Sequence, residues 1–313
     1  MKISVVVPIY NDGYLAHDFC IDFNSVFTSY FGEKIEEKVE LIFVNDGSPN
    51  NSILQLKELI SKYNYIKIID LSKNFGQHIA LSCGYLHAKG DFVAMLNVDR
   101  QEPPSEIIKL LNLIENNEFE IVYGLVERRQ TSFFNRLTSS FFNHILNFLT
   151  QENIPLNVST IRVMSRKFID NYNLFSEKSR YLPGLENWLG FKKGYLPIKH
   201  QKRLEGKSSY NFKRRFKMAF DSVISFSDFP LRIIVLLGIL VVILGFILIG
   251  YLIISKILFV NYQPGYTTTI SLITFLGGIQ IMVIGLASLY IGRILKEVQN
   301  RPLFVINEKI NFL

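Results

Sequence analysis

The chain has 313 residues, a net charge of +7 and an isoelectric point near 9.2. That length accommodates one α/β domain of ordinary size plus a further segment. Two cysteines, Cys20 and Cys83, exclude a disulfide framework and suit a reducing compartment, and His17, His78, His87, His144 and His200 lack the spacing of a zinc site.

The apolar run Ile3 to Ile9 is too short for a signal peptide and ends in the turn Tyr10-Asn11-Asp12-Gly13. Runs at Ile3–Val7, Leu41–Asn45, Ile66–Leu71, Phe92–Asn97 and Ile121–Gly124 predict strands, most of them apolar on both faces as in a parallel sheet. Leu54–Tyr63, Ile79–Lys89 and Ser105–Asn116 predict the intervening helices. This alternation predicts a doubly wound α/β sheet, whose ligands bind beyond the carboxyl ends of the strands. Polar motifs stand at those ends: Pro8 to Asp12, Asn45-Asp46-Gly47-Ser48, and Asn97-Val98-Asp99-Arg100-Gln101.

After Gly194 the pattern gives way to a basic, Ser-rich stretch from Lys199 to Lys213. Within 213–232, Phe216, Phe220, Val223 and Ile224 share one helical face, as in a helix lying in the headgroup plane or packed on the soluble domain. Two uncharged runs follow, 233–254 and 270–292. At about 1.5 Å per residue each can cross a hydrocarbon core roughly 30 Å thick, so a two-helix transmembrane hairpin is expected over 233–292. The expected organisation is then a soluble domain over 1–212, the interfacial helix over 213–232, the hairpin, and a tail over 293–313. The basic balance alone fits nucleic acid, anionic lipid or a phosphorylated substrate equally. Its distribution points to a membrane and not to nucleic acid. Lys213, Arg214, Arg215, Lys217 and Arg232 precede the first run, Arg293, Lys296 and Arg301 follow the second, and only Lys256 lies between. The positive-inside rule then puts both termini and the soluble domain on the cytoplasmic side of the plasma (inner) membrane, as a multi-pass protein.

Two motifs carry chemistry. Asp99 follows a buried strand, with Gln101 on the same side of an extended chain, and Pro103 and Pro104 stop the strand and start a helix. A carboxylate there is placed either to cap and solvate the chain or to bind a divalent cation through oxygen. Asp46-Gly47 is an ordinary turn signal whose carboxylate could also accept hydrogen bonds from a nucleoside.

The ordered set Val7-Pro8-Ile9-Tyr10-Asn11, Val44-Asn45-Asp46-Gly47-Ser48, Ser72-Lys73-Asn74-Phe75-Gly76 and Asp99-Arg100-Gln101-Glu102-Pro103-Pro104 resembles glycosyltransferase family 2. It is most similar to the polyprenyl-phosphate branch, which includes dolichyl-phosphate mannose synthases and bacterial undecaprenyl-phosphate sugar transferases. The likeness runs on through Val122-Tyr123-Gly124, Phe134 to Ser139, Ile161 to Met164, Arg203 to Tyr210 and Pro230-Leu231-Arg232. The resemblance implies a GT-A fold, a nucleotide-sugar donor bound with Mg²⁺ or Mn²⁺, and a polyprenyl phosphate acceptor. By matching position, Pro8, Tyr10, Asp12, Asp46, Asn97 and Asp99 would hold the nucleotide sugar, and Asp99 and Gln101 the metal. Arg129, Arg136, Ser139, Arg162, Arg203 and Lys207 would face phosphates, and Asp99 with the four arginines would carry the catalysis.

Departures from the family pattern cluster around the donor. Asn97 stands where the family carries an acid, Asn157 and Thr160 replace two acids, Val126 replaces an arginine and Arg100 a leucine. A lipid monophosphate, with a second pKa of about 6, is already anionic near neutral pH and needs no general base. The expected reaction is therefore inverting transfer from a nucleotide sugar, UDP-glucose by family frequency, to undecaprenyl phosphate. The alternatives are extension of a glycan acceptor and a catalytically inactive membrane scaffold. Against the first, the only tryptophan, Trp188, lacks the Gln and Arg of a processive synthase signature, and for the second the departures are the motive. Transport is disfavoured because Gln280 is the only strongly polar group in the two runs. Gly277, Gly278 and Gly285 would let helices approach closely within one chain or in a homo-oligomer.

Overall fold

The computed structural model describes residues 1–126, 157–178, 180, 182–201, a set of positions between 236 and 254, and 265–312. Contacts divide the chain into two units, one formed by 1–147, 152–211 and 302–313, the other by 148–151 and 212–301. The first unit opens with β1 (Ile3–Ile9), α1 (Ala16–Phe31), β2 (Val39–Asn45), α2 (Ser52–Ile60), β3 (Ile66–Leu71), α3 (Gln77–His87) and β4 (Phe92–Met95). It continues with α4 (Pro104–Glu115), β5 (Ile121–Val126), β6 (Val158–Ser165), α5 (Arg166–Asn173), α6 (Leu182–Trp188) and β7 (Lys193–Ile198). Helix α7 (Tyr266–Val298) belongs to the second unit, and β8 (Ile306–Ile310) returns to the first.

The strands form one eight-stranded sheet in the order β7-β5-β6-β4-β1-β2-β3-β8. Strands β1 to β4 pair in parallel, and β1 and β2 are buried along nearly their whole length, as continuous apolar runs require. The expectation of a parallel sheet holds for these four strands and for β5 with β7. It fails for β6, which runs antiparallel between β4 and β5, and for β8 on β3.

Helices cover both faces. On one, Phe19, Phe23 and Phe27 of α1 pack with Val5, Val7, Leu41 and Phe43, and the Phe23 and Phe27 rings stack with centroids 4.1 Å apart. The four-residue spacing of those phenylalanines puts them on one helical stripe. On the other face α3 approaches so closely that a Cβ at Gly84 would lie 2.3 Å from Val6 Cγ1. Pro103 caps α4 and Pro104 occupies its first turn, as the Pro-Pro pair predicted.

Two boundaries differ from the sequence reading. The strand expected over Phe92–Asn97 stops at Met95, which frees Asn97 and Asp99 for a loop. Residues 306–310, expected to lie in a separate tail, form the edge strand of the sheet. Only Ile306 and Ile310 of this segment are apolar, with Asn307, Glu308 and Lys309 between them, so no strand periodicity separates it from a tail.

In the second unit, α7 contains one segment, Phe275–Val298, long and apolar enough to cross a membrane. Its 24 residues span about 36 Å, and Phe275, Ile281, Ile284 and Ile291 expose their side chains. The helix extends beyond the expected 270–292 at both ends. The described positions of the first apolar run are helical, among them Leu236, Leu240, Phe246 and Tyr251. The interfacial segment 213–232 lies outside the described residues.

Candidate active site

The order β4-β1-β2-β3 brings the three polar motifs to one end of the sheet. Strand β1 lies between β4 and β2, with Ile9 in register with Asn45, and Asn45 in register with Asp70 on β3. The Asp46 amide bonds Ile9 O at 2.8 Å and the Leu96 amide bonds Val6 O at 3.2 Å. Thus the end of β1 (Pro8) and the loops after β1 (Tyr10, Asp12), β2 (Asp46) and β4 (Asn97, Asp99, Gln101) stand side by side, in the crevice where open α/β sheets bind ligands. Tyr10 is 46% exposed there, while Asp12 begins a short 3-10 turn.

Each loop is held by the next. Asn11 has the left-handed φ of 65°, tolerated by asparagine, and both its backbone groups are bonded by the second loop. Its amide donates to Ser48 Oγ at 3.0 Å and its carbonyl accepts from Asn50 Nδ2 at 3.0 Å. Gly47, at φ 59°, lies against a third loop, and a Cβ there would meet Lys73 C at 2.1 Å and Asn74 N at 2.5 Å. Only glycine fits both demands.

Asp46 is buried, and its carboxylate takes hydrogen bonds from the Phe75 amide at 2.7 Å, the Gly76 amide at 2.9 Å and Asn74 Nδ2 at 3.1 Å. Burial pushes its pKa up, against the pull of the Phe75 and Gly76 amides. Asp46 therefore shapes the Ser72–Gly76 loop, a role that the Asp-Gly turn signal alone did not reveal.

Asp99 and Gln101 share a loop with Arg100, which has a left-handed φ of 58°. The Arg100 guanidinium lies 2.5 Å from Asp22 Oδ2 and 3.7 Å from Asp18 Oδ2 on α1. The Arg100 departure thus ties the loop to α1. Asp99 Oδ1 accepts from the Gln101 amide at 3.3 Å, and Gln101 O accepts from the Gln201 amide at 2.8 Å. Glu102, behind them, is held by Ser159 Oγ at 2.6 Å and His200 Nδ1 at 3.3 Å.

Two other departures meet each other. Asn97 Nδ2 donates to Thr160 Oγ1 at 2.8 Å, and Asn97 Oδ1 accepts from Gln77 Nε2 at 3.4 Å. Carboxylates at both positions would repel at this separation; an amide and a hydroxyl attract. Val126 and Asn157, also departures, are joined by a 3.0 Å backbone bond.

Arg162 corrects an expectation. Its side chain does not face an open crevice: the residue is 6% exposed and its guanidinium pairs with Glu186, itself 1% exposed. Arg162 Nε also donates to Thr160 O at 3.0 Å, and Tyr123 OH donates to Glu186 Oε2 at 2.9 Å. Burial alone would lower the Arg162 pKa, but Glu186 holds it above its ordinary value. Burial, then Arg162, lowers the pKa of nearby His78. The guanidinium is committed because α6 places an acid over a strand residue on the buried face, a contact 24 residues distant in sequence. Arg129, Arg136, Ser139, Arg203 and Lys207 lie outside the described residues.

Among the described residues no three His, Cys, Asp or Glu side chains gather into a metal cage. The oxygen donors of Asp99 and Gln101 fit a hard divalent cation that takes its remaining ligands from phosphate and water.

A mixed sheet with three polar loops at the carboxyl ends of parallel strands defines an α/β architecture, and two family matches make it specific. The model described as "Glycosyl transferase family 2" matches residues 4–172, and "GtrB C-terminal hairpin" matches residues 229–294. The chain belongs to glycosyl transferase family 2, is a glycosyltransferase of the polyprenyl-phosphate type and has the GT-A-like fold. It is similar to the uncharacterized glycosyltransferase YkcC of Bacillus subtilis, 31% identical over 98% of this chain and 94% of that protein. An uncharacterized glycosyltransferase of Synechocystis is 30% identical over 98% of this chain and 95% of its own length. The bactoprenol glucosyl transferase of Shigella phage SfII is 31% identical, with 98% of both chains covered.

Proposed function

We propose that the protein transfers glucose from UDP-glucose to undecaprenyl phosphate at the cytoplasmic face of the membrane, with inversion at the anomeric carbon. The observation that carries this reading is the end-to-end match, loops and hairpin together, to a bactoprenol glucosyl transferase. An oxygen of the lipid phosphate attacks the anomeric carbon; the new C–O bond forms as the bond to the β-phosphate breaks, and UDP leaves with both electrons. The acceptor oxygen is already anionic near neutral pH, so the protein's task is to position charges and neutralise them.

In this reading Pro8, Tyr10, Asp12 and Asp46 line the nucleoside end, and Asn97 and Asp99 lie toward the sugar and diphosphate. Asp99 and Gln101 would hold Mg²⁺ or Mn²⁺, which when bound would offset charge on the departing diphosphate. Arg129, Arg136, Ser139, Arg203 and Lys207 are assigned to the acceptor phosphate by the resemblance alone. Arg162 is left out, because recruiting it would break a buried ion pair.

The return strand supports the hairpin. Residues 1–147, 152–211 and 302–313 belong to one unit, and β8 is part of its sheet. The intervening chain must therefore leave and re-enter a bilayer on the same side, which two crossings achieve and one does not. The basic flanks of the two runs favour the cytoplasm for that side. Purified protein given radiolabelled UDP-glucose and undecaprenyl phosphate should yield a chloroform-soluble labelled product. A screen of the common nucleotide sugars that gives no such product overturns the proposal.

A further inference from the structure

The edge strand that follows the apolar helix is joined to the loops of the candidate site by an unbroken line of side-chain hydrogen bonds. Asn307 Nδ2 donates to Asp70 Oδ2 at 2.8 Å, and Asn45 Nδ2 donates to Asp70 Oδ1 at 2.6 Å. Ser48 Oγ donates to Asn45 Oδ1 at 2.6 Å and accepts from the Asn11 amide at 3.0 Å. The sense of the line is fixed by chemistry. An ionised carboxylate only accepts, so Asn45 must turn its Nδ2 toward Asp70 and its Oδ1 toward Ser48. The single Ser48 proton is then used on Asn45, which leaves its lone pairs for Asn11. The negative charge at Asp70 polarises each link in turn and strengthens the last one.

The backbone is built to deliver Asn307. Strand β8 pairs Glu308 with Asp70 and Ile306 with Leu71, and the register shifts between those two positions. Asn307 is the extra residue of this irregularity, of the kind that re-aims a side chain beside functional sites. Asp70 is 9% exposed and Asn45 2%, so the inner links of the line are shielded from water, while Asn307 at its outer end is exposed. At the far end the Asn11 amide is one of the two backbone contacts that hold its left-handed conformation, between Tyr10 and Asp12.

We infer that Asn307 is a positioning residue for nucleotide-sugar binding, acting through Asp70, Asn45 and Ser48 on the Tyr10–Asp12 loop. The inference rests on the reading of that loop as the nucleoside end of the site. It gives the edge strand a function beyond closing the sheet: the chain that leaves the apolar helix sets the shape of the donor pocket.

The test uses the full-length protein in detergent, with UDP titrated calorimetrically and UDP-glucose and undecaprenyl phosphate varied separately in turnover. Asn307→Ala should weaken UDP and raise the UDP-glucose KM roughly 3- to 10-fold, leaving the lipid KM unchanged. Asn307→Asp, which sets two carboxylates together, should be worse. Asp70→Asn/Asn307→Asp, which keeps both hydrogen bonds of position 70 but moves the charge one link outward, should recover most of the loss seen in Asn307→Asp. There the amide at position 70 donates to the carboxylate at 307 and still accepts from Asn45. The inference is overturned if Asn307→Ala binds UDP as the wild type does, if both KM values rise together, or if the exchanged pair rescues melting temperature but not donor KM. Wild-type protein that binds UDP but makes no lipid product would remove the proposed acceptor while leaving this inference standing on the titration. Wild-type protein that binds no nucleotide removes both.

Discussion

Replacing Glu186 by Gln tests whether Arg162 is a buried counter-charge or a ligand for phosphate. Gln keeps the volume and an acceptor for Tyr123 OH, so the change is nearly confined to one unit of charge beside a guanidinium that is 6% exposed. Stranding a buried charge costs about 3 kcal/mol or more. For a unit of about 200 residues, each kcal/mol moves the melting temperature by about 2–4 °C, so Glu186→Gln should melt roughly 6–12 °C lower. Circular dichroism melts of the full-length protein in detergent, at one scan rate, provide the measurement. Arg162→Met/Glu186→Gln removes the stranded charge and should recover at least half of the loss. A Glu186→Gln melting temperature within about 2 °C of wild type, together with an Arg162→Met variant that folds normally but no longer uses lipid acceptor, would refute the assignment.

Asp99→Ala should abolish turnover without lowering the melting temperature, and wild-type rates from it would remove Asp99 from the metal site. Gly47→Ala forces a Cβ to within 2.1 Å of the Lys73 backbone at a left-handed φ, and should cost about 3 kcal/mol or prevent folding, read from soluble yield and melting temperature. Glu40, buried, would be raised by burial, but Lys67, the Lys89 amide and Ser4 bring its pKa below the usual 4.5. Its contribution to stability is therefore complete above that pH and lost as pH falls through the lowered value. Glu40→Gln should be less stable than wild type at pH 7, with the gap closing as the pH falls below 4.5 and through the lowered value; a gap independent of pH would contradict the sign.

The parallel half of the fold was legible because β1, β2 and β3 are dominated by apolar residues and bounded by turn residues, and the site loops follow them directly. Helix α1 went unread although Phe19, Phe23 and Phe27 repeat every four residues, because the charged and polar residues between them blur the stripe. What sequence could not show is pairing at long range. Arg162 looks like any basic residue near a phosphate until α6 brings Glu186 onto it. Asn307 is one of many asparagines until an irregular edge pairing sets it beside Asp70, 237 residues away. The Asn97 and Thr160 departures read as two losses in sequence and as one hydrogen bond in space.

The return of the chain into the sheet also constrains how a water-soluble fragment could be engineered. Stopping translation ahead of the apolar runs would delete β8, bare the N–H and C=O row of β3, and invite intermolecular pairing along it. An internal excision that bridges Gln201 to Pro302 with a flexible insert would retain the edge strand and its asparagine. The same geometry makes a proteolytic nick near the C-terminus a cut into the central sheet rather than the trimming of a loose end.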